Sequence, residues 1–227
     1  MVRQVLVDLR GLVTDPNSVM DRKVGSRLLY ESILLLLIGL AAAVGHAYVA
    51  WEVWSQVELD VLQMPLIGYI FEPILTIFII WIFYAAGVHY ISNFVFNSRT
   101  PIVRMMKLTA WALIPYGIAR LLRSGVLYWA VQDVDVEQAL EDVPAVGFTG
   151  VLEAALDPVR TEPVYILSPI LLILGVLATG YLLLYAATNA KDISREDALK
   201  AVGIVVGIHL LYLLRETWFL INDIGFI

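Results

Sequence analysis

Charged residues interrupt the apolar stretches of this 227-residue sequence, and five of them form a candidate cluster: Glu72, Arg120, Arg123, Arg215 and Glu216. A charged side chain at the centre of a membrane helix costs about 2.5–3.5 kcal/mol on insertion scales, so each is a candidate functional group. Arg120 and Arg123 share one face of a helix, whereas the adjacent Arg215 and Glu216 point about 100° apart. We therefore expect pairing between helices, with Glu216 next to Arg120 or Arg123 and Glu72 next to the remaining arginine.

The charged cluster suits three different roles. Its members can neutralise one another as a structural ion network, or they can line a pathway for a solute or an ion. In the third role, Arg123 and Arg215 extend to the lipid headgroups. Pro115 lies just before the arginines and cannot donate a backbone hydrogen bond to the Trp111 carbonyl, which predicts a helix kink there. Interrupted helices beside charged groups occur in transporters. We favour the ion network and keep the pathway as the alternative.

His89, Asn93 and His209 form a secondary polar set within the apolar stretches. His89 and Asn93 are four residues apart and share a helix face. A metal site needs three or four ligands with compatible spacing, and this set offers too few. We therefore expect hydrogen bonds between helices at these positions and no metal.

Gly203 and Gly207 form a small-xxx-small pair, a spacing that lets two membrane helices approach closely. Gly39 and Gly175 begin the same pattern in two other apolar stretches. We expect these faces to pack inside one bundle, with a contact between two copies of the chain as the alternative.

The composition indicates that these residues lie in a membrane. The sequence is 60% hydrophobic and 16% charged, with a mean hydropathy of +0.80, whereas soluble domains are about 45–50% apolar and about 25% charged. The absence of cysteine excludes disulfides and zinc-thiolate sites. A net charge of −6 disfavours nucleic acid as a partner. Phosphate-binding loops, dinucleotide fingerprints and intramembrane hydrolase patterns do not occur, so we expect a non-enzymatic protein without a cofactor.

A helix needs about 20 apolar residues to cross the hydrocarbon, and five stretches are long enough: residues 28–50, 69–94, 108–131, 164–189 and 199–221. The third is long enough only if it continues through Arg120 and Arg123. The loops alternate between basic and acidic, which places the N-terminus in the cytoplasm and the C-terminus outside. With four spans, loops of opposite charge would share one side. We therefore predict an all-α, polytopic bundle of five transmembrane helices, N-in/C-out.

The remaining segments complete a single membrane domain, 1–227. Residues 1–27 are predicted to form a cytoplasmic amphipathic N-terminal segment that lies on the inner leaflet or packs under the bundle. Within it, Asp15 and Pro16 resemble a helix N-cap followed by proline at the first helical position. Residues 132–163 are expected to form an acidic external loop. Its stretch "DVDVEQALEDV" lacks the glycine at loop position six and the closing glutamate register of a calcium-binding loop.

Three sequence segments resemble the Yip domain family. "LVTDPNSVMDR" precedes the first span, "LTAWALIPYGIARLL" lies in the third, and "ATNAKDISREDALKAVGIVVGIHLL" joins the last two. Together with the order of the spans, they cover most of residues 12–215. The resemblance implies a small five-span membrane protein of a family named for binding Ypt/Rab GTPases in eukaryotes. The Asp-Leu-Tyr-Gly-Pro motif of the eukaryotic N-terminal region does not occur in the sequence, which favours a prokaryotic-type member.

The expected function is that of a non-enzymatic membrane scaffold or adaptor, and the resemblance adds a role in membrane organisation or trafficking. The alternative is a small-solute or ion transporter or channel that uses the charged cluster. Expected partners are membrane lipids and other membrane or peripheral proteins, and association with a second copy remains open. The expected location is a prokaryotic cytoplasmic membrane, or the Golgi or ER membrane for a eukaryotic chain.

Overall fold

The computed structural model describes residues 2–57, 63–132 and 156–223, and every regular element in these ranges is helical. Most of the predicted acidic loop, residues 133–155, lies outside the described residues. A short helical segment at 156–161 and a single 3₁₀ turn at Pro163–Ile166 precede the last two long helices. The helices are α1 (Val2–Thr14), α2 (Pro16–Val24), α3 (Leu28–Val57), α4 (Gln63–Phe96), α5 (Ile102–Ala112), α6 (Ile114–Val131), α7 (Leu167–Lys191) and α8 (Arg195–Asp223).

Within the described residues, four helices are long and apolar enough to cross a membrane. They comprise Leu28–Ser55 in α3, Leu66–Phe96 in α4, Pro163–Lys191 up to the end of α7, and Arg195–Leu220 in α8. These four helices and the composition identify a multi-pass integral membrane protein.

The predicted third span, 108–131, is divided between two helices instead of forming one. Helix α5 ends at Ala112 and α6 begins at Ile114, with Leu113 between them in a helical conformation. The division falls two residues before Pro115, whose missing N–H leaves the helix one hydrogen bond short. The chain continues in helical geometry because the Leu113 N–H still donates to the Thr109 carbonyl at 3.0 Å, and the Gly117 N–H to the Leu113 carbonyl at 2.9 Å.

Small residues allow α6 to pack closely between α3 and α7. A side chain on Gly45 of α3 would overlap Ser124 of α6, and one on Gly175 of α7 would overlap Ala119 of α6. The Ser124 hydroxyl also donates to the Ala42 carbonyl of α3 at 2.7 Å, a bond between helices in the interior. Helix α6 is therefore an interior element of the bundle.

The two N-terminal helices pack against one end of the bundle. Asp15 caps α2 as predicted, because its carboxylate accepts the Ser18 N–H at 3.2 Å. Helix α2 buries Met20 in the core, and Asn17 pairs with Asn189 of α7 at 2.9 Å. Helix α1 packs beside α2 and buries the carboxylate of Asp8. On the apolar stripe of α1, Leu9 packs against the core, whereas Leu6 and Val13 are exposed, and Asp8 and Leu12 beside the stripe are buried.

Candidate functional site

Arg120 and Glu72 form an ion pair in the interior of the bundle. The Arg120 Nη2 donates to both carboxylate oxygens of Glu72, at 3.0 and 2.8 Å, and joins α6 to α4. The His46 Nε2 of α3 lies 3.4 Å from the same carboxylate, and Thr76 Oγ1 donates to it from the next turn of α4. Arg120 is 3% exposed and the Glu72 side chain 43% exposed. The pair therefore connects three helices at a half-buried carboxylate.

Arg123 occupies the same face of α6 one turn later but has a different partner. Its Nη2 donates to the Tyr165 hydroxyl at 3.3 Å, just before α7. The pairings predicted for Glu216 do not form among the described residues, where neither arginine lies within ion-pair distance of it. Glu216 is exposed on α8.

A cavity of about 610 Å³ connects four members of the predicted cluster. Its wall includes both carboxylates, both α6 arginines and one cation that the sequence analysis missed, Arg160. Arg215 does not line it, because this side chain is exposed and its guanidinium lies 5.4 Å from the Phe219 ring centroid. That position directs the Arg215 charge toward the end of α8, as in the headgroup interpretation.

His89 and Asn93 lie together, but they surround a residue that the sequence analysis did not select. The buried Lys191 Nζ lies 2.7 Å from Asn93 Oδ1, 3.0 Å from His89 Nδ1 and 3.0 Å from the Thr100 carbonyl oxygen. A lysine at the end of an apolar run usually indicates an interfacial charge, so its burial could not be predicted from the sequence. The ammonium group joins the ends of α4 and α7.

His209 is separate from this pair. It lies in the middle of α8, where its Nδ1 is 2.8 Å from the Tyr84 hydroxyl. Its ring also packs edge-on against Tyr116, the neighbour of Arg120 on α6. His209 therefore belongs with the charged cluster, and the predicted secondary set divides between two locations.

Gly203 and Gly207 face away from the bundle. A side-chain carbon built on either glycine would meet no atom within 4 Å, and the neighbouring Ile204 and Ile208 are exposed. The expectation that this face packs inside the bundle is therefore wrong, whereas Gly39 and Gly175 do pack inside it. Repeated spacing indicates close approach but does not indicate which helix approaches.

The site's chemistry is that of charge pairing and anion recognition. Guanidinium groups present fixed, planar sets of donors, and these suit carboxylate and phosphate oxygens. Among the residues that the structure describes, no three His, Asp or Glu side chains lie close enough together to hold a metal ion.

The comparisons with known proteins agree with the resemblance seen in the sequence. A family model, described as the Yip1 domain, matches residues 10–215, which is most of the chain. Neither the comparison with curated proteins nor that with solved structures gives a match. The family match, the helical membrane bundle and the three sequence motifs agree with one another. The chain therefore belongs to the Yip1 domain family.

Proposed function

We propose that this protein is a non-enzymatic membrane scaffold that engages another membrane protein through the outer face of α8. The observation that carries the proposal is the open Gly203/Gly207 pair. Small residues at this spacing are used where two membrane helices meet at short distance, and here that face has no neighbour among the residues that the structure describes. Ile204 and Ile208 supply exposed aliphatic contacts on one side of the glycine pair.

The charged cluster supports a scaffold in a different way. Arg120, the deepest arginine, is neutralised by Glu72 and contributes to the packing of three helices. A bundle fixed by such an interior pair presents a constant outer surface, which a scaffold requires. Family membership adds membrane organisation or trafficking as the setting of this role.

We propose a different membrane protein, instead of a second copy, as the partner. Arg215 lies about two turns beyond Ile208 on the same side of α8 and is exposed. Two α8 helices packed in parallel would bring two Arg215 side chains to the same side, and like charges in a poorly polar medium repel. A partner helix with an acidic or polar residue at that depth avoids this repulsion.

The absence of cysteine from the sequence makes crosslinking a direct test. Ile204→Cys would be treated with a thiol-directed photocrosslinker in native membranes, with Ile79→Cys on the exposed side of α4 as the matched control. We expect a discrete adduct with another membrane protein from position 204 alone, abolished by Gly207→Leu without loss of thermal stability. Equal adducts from both positions, or an adduct between two copies of the chain, would contradict the proposal.

We further propose five membrane crossings, with α5 and α6 together as the third, and an N-in/C-out orientation. Arg104 of α5 lies 3.4 Å from Asp192 at the end of α7, whereas Arg123 of α6 contacts Tyr165 at its beginning. The α5–α6 segment therefore runs the full length of α7, which is one of the four long apolar helices. The basic and acidic loops support the orientation, and a prokaryotic cytoplasmic membrane is the proposed location.

Single cysteines at Ser98, Gln132 and Asp192 test this topology with a membrane-impermeant thiol reagent applied to intact cells. Five crossings predict labelling of Gln132→Cys from outside and protection of the other two. Four crossings, without α5 and α6, would place Ser98 and Gln132 on one side and Asp192 on the other. The labelling pattern therefore separates the two topologies.

A further inference from the structure

We propose that the cavity lined by Arg120, Arg123 and Arg160 binds the phosphodiester group of a membrane phospholipid. This inference concerns a ligand site within the bundle and does not depend on the partner proposed for α8.

The arginines of the cavity retain donors that the protein does not use. Arg120 is almost completely buried, yet its Nε has no hydrogen-bond partner among the described residues, and the same is true of Arg123 Nε. Neither Arg123 nor Arg160 has a carboxylate within ion-pair distance in the described part of the chain. Guanidinium groups that line a cavity without a paired carboxylate, such as those of Arg123 and Arg160, form the arrangement that recognises phosphate oxygens.

The charge in the cavity matches a monoanion. Its wall carries three guanidinium groups and two carboxylates, Glu72 and Glu216, so that one positive charge remains. Glu72 is engaged by Arg120, with His46 also within 3.4 Å of its carboxylate. A phosphodiester carries a single negative charge, whereas inorganic phosphate at neutral pH carries more, so the phosphodiester is the better electrostatic match.

The remainder of the wall suits a lipid more than a free anion. Aliphatic and aromatic side chains continue from the arginines, and one of them, Phe219, is exposed on the outside of α8. The cavity therefore has a cationic end and an apolar wall that reaches the bundle surface, which fits an amphiphile. The apolar members of the wall are Ile80, Pro169, Leu172, Leu213, Phe219 and Leu220.

The position of the cavity along the bundle agrees with the depth of a headgroup. Arg160 and Tyr165 come just before α7, and Ser168 lies in its first turn. Helix α2 contacts the opposite end of α7, through Asn17 and Asn189. The cationic end therefore lies near one end of the spanning helices, where phospholipid headgroups are found. A second cavity, of about 590 Å³ between α1, α6 and α7, is lined without any charged residue and offers no comparable site.

The test measures lipid binding to the purified full-length protein in a neutral detergent by native mass spectrometry. The probes are a short-chain phosphatidylglycerol, the diacylglycerol with the same chains, and inorganic phosphate. We expect the phospholipid to bind and the diacylglycerol not to bind, with no competition from phosphate at equal concentration. Arg123→Gln and Arg160→Gln should each weaken phospholipid binding by about tenfold, because each removes a charged hydrogen-bond donor.

Arg99→Gln is the matched control, since Arg99 is an exposed arginine outside the cavity, and its affinity should equal that of the unmodified protein. Glu216→Gln should tighten phospholipid binding, because it removes a negative charge from the wall. Arg160 is exposed on a short segment, so we expect Arg160→Gln to fold. This variant therefore tests the proposal even if Arg123→Gln fails to fold. Equal binding of phospholipid and diacylglycerol, equal loss in Arg99→Gln and Arg160→Gln, or binding of inorganic phosphate alone would each overturn the proposal.

Discussion

Arg120 donates through one nitrogen, Nη2, to both carboxylate oxygens of Glu72, at 3.0 and 2.8 Å. The guanidinium is almost completely buried, while the carboxylate retains partial exposure on its own helix. A charge of this depth persists only if it is neutralised nearby, because moving an unpaired ion into a poorly polar interior is costly. Arg120 therefore needs the counter-charge of Glu72 more than Glu72 needs that of Arg120, because the arginine is the more deeply buried partner.

Glu72→Gln should destabilise the protein, because it leaves the Arg120 charge buried without a counter-charge. Removing one partner of a fully buried pair costs about 3–5 kcal/mol, and the partial exposure of Glu72 reduces our expectation to about 2–3 kcal/mol. Thermal melting and SDS-induced unfolding in detergent measure the change. The double variant Glu72→Gln/Arg120→Gln should recover part of the loss, since the uncompensated charge is then gone.

Glu216→Gln is the matched control for this substitution. Glu216 borders the same cavity but is exposed and forms no ion pair among the described residues, so its free energy of unfolding should change by less than about 0.5 kcal/mol. Equal destabilisation by the two variants would show that the Arg120–Glu72 pairing is not what stabilises the bundle.

Gly45→Ala should destabilise the contact between α3 and α6, because the added methyl group would overlap both the backbone and the side chain of Ser124. Forcing one extra carbon into a closely packed contact costs about 1–3 kcal/mol. Gly203→Ala introduces the same group at a position with no neighbour within 4 Å, so it should leave the melting temperature unchanged or slightly raised. A melting temperature lowered equally by both substitutions would indicate that the open face of α8 is covered.

The glycine pairs illustrate which features of the fold the sequence could and could not predict. Apolar length alone predicts the four long helices, because the hydrocarbon thickness fixes how many residues a span needs. The spacing of Gly203 and Gly207 predicts a close approach, but the same spacing at Gly175 is satisfied inside the chain. Which face is covered depends on the rotation of each helix within the bundle, and hydropathy does not report that rotation where a helix is apolar on all sides.

The charged residues likewise show which contacts the sequence could predict and which it could not. Helix depth places Glu72 and Glu216 at similar distances from the arginines, so the sequence predicted that Glu72 pairs with one arginine without selecting which, and it also predicted a pairing of Glu216 that does not form among the described residues. Lys191 was not predicted at all, because its burial requires two chain reversals, with positive φ angles at Asn97 and Asp192. The break at Leu113 was expected as a kink near Pro115, since the missing donor of proline is visible in the sequence.

Lys191→Met should destabilise the junction of α4 and α7, although it replaces a buried charge with an apolar side chain of similar length. The ammonium lies within hydrogen-bond distance of Asn93, His89 and the Thr100 carbonyl, and the substitution leaves these groups without it. Leaving buried polar groups unsatisfied costs about 1–3 kcal/mol. Lys200→Met, which removes an exposed lysine paired with Glu196, should cost less than about 1 kcal/mol and serves as the control.

A gain of stability in Lys191→Met would mean that desolvation of the ammonium outweighs its three contacts. Proteolysis of the segment between α4 and α5 offers an independent measurement. The Ser98 hydroxyl donates to the Lys191 carbonyl at 2.7 Å, so loss of the junction should release the backbone around the already exposed Arg99 and speed tryptic cleavage after it. Unchanged cleavage together with unchanged melting would contradict the structural role of Lys191.

Met20→Ala should release the N-terminal helices from the bundle. Met20 is fully buried by α2, and truncating a buried methionine to alanine costs about 2–5 kcal/mol. Trypsin treatment in nanodiscs, where both membrane faces are accessible, reports this release through cleavage after Arg22 and Lys23. We expect cleavage at least about tenfold faster than in the unmodified protein, because the rate follows the population of the open state.

Val13→Ala provides the contrast, because Val13 is 83% exposed, whereas Met20 is fully buried. Its cleavage rate should match that of the unmodified protein if docking through α2 protects the segment. A helix held only by insertion of its apolar stripe into the leaflet would respond in the opposite order, with Val13→Ala the more sensitive variant. The order of the two rates therefore decides whether the N-terminal segment is fixed by the protein or by the lipid.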